Sequence, residues 1–177
     1  MEKKKVAVLA VNPVNGSGLF QYLEAFYENN ISYKVYAVAS TTTIRSNSGI
    51  SLCADSVITE LKGHENKFDA LVFACGDAIP QFARHATESY NITLLEELQH
   101  FSEKGKIIIG HCAAALMFEK AGIIQGKKVA VHPLAKPAIQ KGFATDNFIE
   151  IDGNFYTAQD EHKLTLLLPS VLEALKD

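Results

Sequence analysis

The sequence has few cysteines, and their spacing excludes two common kinds of small protein. Cys53, Cys75 and Cys112 are an odd number of thiols, and none forms a Cys-X-X-Cys pair. This pattern predicts neither a disulfide framework nor a zinc ribbon. It is typical of a cytoplasmic protein whose thiols stay reduced.

Long apolar runs and an excess of charge are also missing. No stretch approaches the about 18 consecutive apolar residues that a transmembrane helix needs, so we expect no membrane partner. The apolar run at residues 6–11 is too short for the core of a signal peptide and is typical of a first strand. With a formal net charge of −3, we expect no nucleic-acid partner.

What the sequence does contain is an alternation of strand-like and helix-like segments. Strand-like apolar runs lie at residues 5–11, 33–39, 70–74, 107–109, 129–132, 148–151 and 155–157. Helical patterns lie at residues 19–29, 56–61, 79–102 (interrupted near Asn91), 113–120 and 161–175.

This alternation predicts one α/β domain over residues 1–177, a three-layer sandwich with a mainly parallel sheet and helices on both faces. The turn Asp152-Gly153-Asn154 adds a late antiparallel hairpin. The Ser/Thr-rich residues 40–51 are interpreted as a loop or a short hairpin. Asp55 is expected to introduce the short helix at 56–61.

The most informative segment is the transition from the strand at 107–109 to the helix at 113–120. The residues Gly110-His111-Cys112-Ala113-Ala114 match the pattern glycine, any residue, nucleophile, any residue, small residue, which forms a sharp strand-to-helix elbow. Cys112 would then lie at a helix N-terminus, where the helix dipole favours the thiolate. The alternative is a buried apolar cysteine between a core strand and a core helix.

In folds of this kind, ligands bind in the crevice beyond the carboxyl ends of the strands. The segments expected there are residues 12–18, 75–77, 111–113 and 132–133. The candidate site residues are the catalytic pair Cys112 and His132, the oxyanion or pocket residues Gly76, Asp77 and Ala113, and the crevice residues Asn12, Asn15 and Ser17.

Several candidates have two interpretations. His132 is either a general base or a hydrogen-bonded core histidine, and Asp77 is either a carboxylate partner of the cysteine or a helix N-cap. Cys75 is either a redox partner of Cys112 or a small apolar residue at a strand end. His111 should point away from Cys112, towards core packing or a dimer contact.

Five segments together resemble the ThiJ/PfpI superfamily, which has a class I glutamine amidotransferase-like fold. They are residues 68–73, 109–114, 122–126, 127–136 and 152–158. The resemblance implies a flavodoxin-like sandwich, a homodimer and a cysteine-dependent hydrolase or lyase. Such an enzyme attacks small carbonyl or amide compounds with its thiolate, as in glyoxalase, deglycase, protease or amidase chemistry. The alternative is a non-catalytic redox- or stress-responsive protein, or a small-molecule binding module.

The chain departs from that family at the site itself. The family has a glutamate just after strand one, but residues 12–18 contain no carboxylate, so we expect no glutamate near Cys112. The family's glycine pair becomes Gly76-Asp77.

Neither a cofactor nor a metal is expected. Six residues could together offer metal ligands, but no motif with zinc-ligand spacing links them. They are Cys112, His111, His132, Asp160, Glu161 and His162.

The first helix carries apolar residues on more than one face. Phe20 and Tyr27 share a flank that the helix does not need for covering its own sheet, which indicates a dimer contact. The alternative is that a loop or helix of the same chain covers them.

Overall fold

A computed structural model describes residues 4–176, which are organised around one seven-stranded sheet. The strands are β1 (Lys5–Val11), β2 (Ser32–Val38), β3 (Thr43–Arg45), β4 (Ser51–Cys53), β5 (Ser56–Val57), β6 (Ala70–Ala74), β7 (Ile107–His111), β8 (Lys128–Val129), β9 (Phe143–Ala144), β10 (Ile149–Asp152) and β11 (Phe155–Ala158). The helices are α1 (Gly16–Glu28), α2 (Ser89–Glu103), α3 (Ala114–Lys120) and α4 (Leu164–Ala174).

The main sheet has the order β10-β11-β7-β6-β1-β2-β5. Neighbouring strands in it are parallel except for the β10–β11 hairpin. The prediction of a flavodoxin-like sandwich with a late antiparallel hairpin is therefore confirmed. The central strands β1 and β6 are almost wholly buried, as expected where helices cover both faces of a parallel sheet.

The two helical layers are distinguished at the end of β7. Successive residues of a strand point to opposite faces, and here Gly110 faces Phe118 of α3 while His111 contacts Tyr22 of α1. Helix α1 packs beside α4 and α2 beside α3, which gives one pair of helices to each face. Among residues 4–176, every helix is too short or too polar to cross a bilayer.

The helix predicted at residues 56–61 is wrong. Strand β5 begins there and runs into a 3₁₀ turn at Ile58–Glu60. The Asp55 carboxylate accepts a hydrogen bond of 2.7 Å from the backbone N–H of Val35 in β2. Asp55 therefore links the start of the edge strand β5 to β2 instead of capping a helix. Residues 40–51 contribute to the β3–β4 hairpin, one of the two structures proposed for them.

Three other boundaries differ from the sequence pattern. The helical region at 79–102 consists of a 3₁₀ segment, Ile79–His85, and α2, so the break lies at 86–88 and not at Asn91. Asn91 lies inside α2, where its side-chain amide donates to the carbonyl of His85 and satisfies a group freed by the break.

The strand predicted at 129–132 is shorter, since regular pairing is confined to Lys128–Val129. Beyond it, the N–H of Ala130 donates to the Thr157 hydroxyl and that of His132 to the carbonyl of Cys112. The last helix also starts later than predicted, because residues 161–163 form a 3₁₀ turn before α4.

Candidate functional site

Cys112 occupies a sharp turn between β7 and α3. Its φ angle of +56° lies in the left-handed region, which is unfavourable by roughly 1–2 kcal/mol for a residue with a Cβ. Its N–H donates to the carbonyl of Ala158 at 3.1 Å, and its carbonyl accepts from the N–H of His132 at 3.0 Å. The predicted elbow conformation is confirmed, and two neighbouring segments hold it in place.

Gly110 permits the close approach of α3 to β7 that this turn requires. A Cβ at position 110 would lie 2.5 Å from the Cβ of Ala114 and 2.9 Å from the ring of Phe118. Since these distances are far below van der Waals contact, only glycine fits without moving the helix.

The buried thiol of Cys75 lies beside the half-buried sulfur of Cys112. The hydrogen bond that Cys75 donates lowers the pKa of the Cys112 thiol. Burial opposes this effect, and the N–H of Ala113 reinforces it. The pKa of Cys75 is raised well above its usual range by the same hydrogen bond and by burial. Of the two thiols, Cys112 is therefore the one that ionises more readily.

A cavity of about 700 Å³ opens over Cys112. It is lined by Asn15, Asn47, Cys75, Gly76, Asp77, Ile79, Pro80, Cys112, Ala113, Leu116, His132, Leu134, Ala135, Asp160, Glu161 and His162. Most of the predicted site residues are thus brought together at the carboxyl ends of β1, β6, β7 and β11.

Two predicted crevice residues lie elsewhere. Asn12 lines a smaller separate cavity, and its side-chain oxygen accepts a hydrogen bond of 3.0 Å from the N–H of Arg45. Ser17 is exposed on the first turn of α1, where its hydroxyl accepts from Gln21.

The segment at Gly76 and Asp77 is tightly held against the loop after β1. A Cβ at position 76 would collide with the carbonyl oxygen of Pro13. The N–H of Asp77 donates to the side-chain oxygen of Asn47 at 3.1 Å, so this amide is not free to bind an oxyanion. Asp77 is also no N-cap, because the following 3₁₀ segment is preceded by Ala78 and has no side-chain cap.

The expectation that no glutamate lies near Cys112 is wrong. Glu161, in the turn after β11, lines the same cavity and is hydrogen-bonded to the Asn15 side chain. Burial raises the pKa of Glu161, but its own backbone N–H and Asn15 outweigh burial and bring the pKa below its usual range. A carboxylate therefore lies in the cavity, supplied by the turn after β11, and its negative charge and that of Asp160 oppose the lowering of the Cys112 pKa.

The sequence contained a signal for this residue. Asp160, Glu161 and His162 directly follow strand β11, which pairs with β7. Because β11 lies beside β7, its carboxyl end also belongs to the crevice. This position predicts that Glu161 is a crevice residue, in addition to being a candidate metal ligand. Asn47 had no such signal, because it reaches the cavity from the β3–β4 turn.

His132 is half-buried in the cavity wall, and its hydrogen bonding defines its role. The Nδ1 atom accepts a hydrogen bond of 3.2 Å from the N–H of Leu134. In the neutral ring the proton therefore lies on Nε2. The geometry supports a hydrogen-bond donor to a bound molecule rather than a base that takes a proton.

His111 faces away from Cys112, as predicted, and packs in the core. Its Nδ1 lies 3.1 Å from the hydroxyl of Tyr22, and burial lowers the pKa of the imidazole to about 4. A Cβ on Gly18 would overlap the His111 ring, so this glycine lets α1 lie against the sheet.

Comparisons with known proteins agree with this fold. The model of the DJ-1/PfpI family matches residues 4–174. Protein ppBat of Bacteroides thetaiotaomicron is 66% identical over 173 residues, which are 98% of this chain and 99% of ppBat. A crystal structure from the same organism, named "putative protease I", has a TM-score of 0.96 at 66% identity and covers 98% of this chain and 99% of its own.

A more distant structure shows the same fold. The DJ-1 superfamily protein of Salmonella typhimurium, solved as a cysteine-to-alanine mutant, has a TM-score of 0.84 at 23% identity, over 97% of this chain and 90% of its own. The family match and the 66% identity across nearly the whole of both chains show that this chain belongs to the DJ-1/PfpI family.

Proposed function

We propose that this protein is a cysteine-dependent enzyme that attacks small carbonyl or amide compounds with the thiolate of Cys112. The observation that carries the proposal is the position of the buried Cys75 thiol beside Cys112, which lowers the pKa of Cys112 inside a substrate-sized cavity. The left-handed backbone at Cys112 supports it, because such conformations are concentrated at functional sites.

The reaction begins when the Cys112 sulfur forms a bond to the carbonyl carbon. The π electrons of the carbonyl move to its oxygen, which accepts a hydrogen bond from the Nε2–H of His132 and takes a proton from water. With an aldehyde the product is a hemithioacetal. With an amide the tetrahedral adduct expels the amine, and the acyl-enzyme is then hydrolysed by water.

The cavity walls favour certain substrates. Asp160 and Glu161 give one part of the lining a negative charge, whereas Ile79 and Leu116 give another part an apolar surface. A small neutral or cationic molecule suits these walls better than an anion does. Peptide amides belong to the same chemical class as these substrates. The proposal is therefore compatible with the name "putative protease I" of the Bacteroides structure.

The test is turnover of methylglyoxal and of a panel of small amides. Cys112→Ser should lose about 10³-fold or more in kcat/KM, because the nucleophile is removed. Cys53→Ser is the matched control and should keep full activity, since Cys53 is exposed on β4 outside the cavity. Turnover that is equal in the Cys112→Ser variant would rule out the enzymatic proposal.

A second candidate function, a redox response, is favoured by the proximity of Cys75 and Cys112. The Cys112 thiolate would attack a peroxide, releasing water or an alcohol and leaving a sulfenic acid. The Cys75 sulfur would then displace the hydroxyl as water and form a disulfide. Peroxide treatment should give a Cys75–Cys112 disulfide that peptide mapping detects. If peroxide treatment gives over-oxidised Cys112 and free Cys75 without any disulfide, this candidate function is contradicted.

The proposal includes a homodimer and a cytoplasmic location, where thiols stay reduced. Phe20 and Tyr27 on α1 are 47% and 73% exposed, so no other part of residues 4–176 covers them as the single-chain alternative required. Because α1 begins beside Asn15, a two-fold contact through this helix would lie close to the cavity.

A further inference from the structure

A second cluster of polar side chains lies near the amino ends of β6 and β7, whereas the Cys112 cavity lies at the carboxyl ends of the strands. Glu65 is in a 3₁₀ turn shortly before β6, whereas Glu97 and His100 are in the last part of α2, shortly before β7. The amino ends of β6 and β7 are neighbours in the sheet, which brings these two segments together. The proposed enzyme mechanism uses none of the three residues.

The three side chains are spaced like ligands around a small ion. The Nδ1 of His100 lies 3.6 Å from a carboxylate oxygen of Glu97 and 3.7 Å from one of Glu65. One ligand atom from each residue lies within 4.8 Å of the others. These distances are too long for hydrogen bonds, but they are close to the separation of about 3.4 Å between ligands held about 2.1 Å from a tetrahedral zinc ion.

Glu97 has no partner that explains its burial. Its side chain is completely buried, and neither carboxylate oxygen has a hydrogen-bond partner among residues 4–176. The Nδ1 of His100 is also buried without a partner there, although the rest of its ring is partly exposed. A buried carboxylate with no partner is strongly unfavourable, and so the group calls for a cation or a proton.

The nearby lysines have other partners. Lys62 pairs with Glu96 at 3.0 Å, and Lys104 donates to the side chain of Asn66 at 2.7 Å. Lys106 donates to the backbone carbonyls of Glu65 and Phe68. Without a cation, burial and the charge of Glu65 raise the pKa of Glu97 to about 7. A divalent ion would reverse this balance and keep both carboxylates ionised.

We propose that Glu65, Glu97 and His100 bind one divalent transition-metal ion of the Zn²⁺ type. Glu97 and His100 are three residues apart on one helix face, the Glu-X-X-His spacing that carries metals in helical proteins. The imidazole favours a transition metal over Ca²⁺ or Mg²⁺, which prefer oxygen ligands. The N–H of Gly63 donates to Glu65 at 2.8 Å and orients that carboxylate. The His100 side chain is partly exposed, so the cluster lies close to the protein surface.

The metal-stripped full-length chain should be titrated with Zn²⁺ against a chromophoric chelator, and separately with Co²⁺. We expect one ion per chain and a Co²⁺ spectrum without thiolate charge-transfer bands, which separates this site from the cysteines. Glu97→Gln should weaken Zn²⁺ binding by about 100-fold or more and abolish the Zn²⁺-induced rise in Tm. Glu96→Gln is the matched control, a partly exposed neighbour on the same helix, and should bind as the wild type does.

His100→Gln is a second test, for the case in which Glu97→Gln folds poorly. The side chain of His100 is partly exposed, so its replacement should be tolerated. It should show the same loss of affinity. Binding that is unchanged in both variants, thiolate bands in the Co²⁺ spectrum, or no binding at about 100 μM Zn²⁺ would each overturn the proposal. Because the site is remote from Cys112, failure here would leave the turnover experiment unaffected.

Discussion

The thiol of Cys75 lies beside the sulfur of Cys112, and hydrogen bonding between the two lowers the pKa of Cys112 and raises that of Cys75. A neutral donor stabilises the neighbouring thiolate and is itself harder to ionise. The same geometry supports a nucleophile in catalysis and a nearby resolving thiol in oxidation.

Replacing this donor should make Cys112 less reactive. In Cys75→Ala the pKa of Cys112 should rise, so the inflection of its alkylation rate moves to higher pH and the rate at neutral pH falls several-fold. Cys75→Ser should retain most of the wild-type reactivity, because its hydroxyl can still donate. The measurement is iodoacetamide labelling followed by peptide mapping.

The labelling experiment also compares the cysteines within one protein. We expect Cys112 to react faster than Cys53, although Cys53 is more exposed, because the lowered pKa of Cys112 favours its reactive thiolate. Equal rates for all three thiols in the folded protein, or an inflection unchanged in Cys75→Ala, would show that the hydrogen bond has no influence on reactivity.

Removing the imidazole of His132 should reduce turnover without changing the thiol. In His132→Ala we expect kcat/KM to fall about 10- to 100-fold, since a donor to the substrate oxygen is lost. The alkylation profile of Cys112 should stay the same, because the Nδ1 of His132 is engaged by Leu134 and the proposed role of Nε2 is towards substrate. A shifted alkylation profile would instead favour His132 as the base for Cys112.

The elbow should be intolerant of a side chain at position 110. Gly110→Ala forces its Cβ against Ala114 and Phe118, and we expect a loss of about 2 kcal/mol in the free energy of unfolding. Gly16→Ala is a suitable control, because the nearest atom would be 3.5 Å away, an ordinary contact, and the change should be within about 0.5 kcal/mol. Urea unfolding measures both. Equal stabilities would mean that α3 can move away from β7 at little cost.

The buried carboxylate of Glu97 should make stability depend on pH in metal-free buffer. Its pKa is raised from 4.5 in the unfolded chain to about 7 in the folded protein. Below about pH 4.5 the group is protonated in both states and has no effect, whereas between pH 4.5 and 7 the folded state becomes progressively less stable. Relative to Glu97→Gln, the wild type should therefore lose about 3 kcal/mol between pH 4.5 and pH 8. A pH-independent difference in urea unfolding would contradict the raised pKa.

The proposed dimer can be tested at α1. Wild-type protein should sediment at twice the 19.4 kDa chain mass, and Phe20→Asp should shift the mass towards that of the monomer, because burying an unpaired carboxylate is unfavourable. Phe143→Asp, at a residue of similar exposure on β9, serves as the control and should remain dimeric. A wild-type monomer at micromolar concentration, or a Phe20→Asp dimer of unchanged stability, would exclude this interface.

Local sequence was sufficient for the parts of the fold that local forces control. The apolar runs of β1 and β6, the Asp152-Gly153-Asn154 turn and the Gly110 to Ala114 elbow were all identified correctly, because periodicity and small-residue spacing restrict the backbone directly. The boundaries near residues 56–61, 86–88 and 129–132 were misjudged. At those positions side chains from other elements satisfy the backbone, and sequence order does not reveal those partners.

The sequence by itself determined the sandwich and the position of Cys112 at a sharp turn. Only the tertiary structure decided which residues surround that cysteine. Cys75 and Glu161 reach the same cavity because β6, β7 and β11 are neighbours in the sheet. At the opposite edge, the same strand order brings Glu65 to Glu97 and His100. Contacts between residues so far apart in the chain depend on strand order and helix packing, which no local pattern encodes.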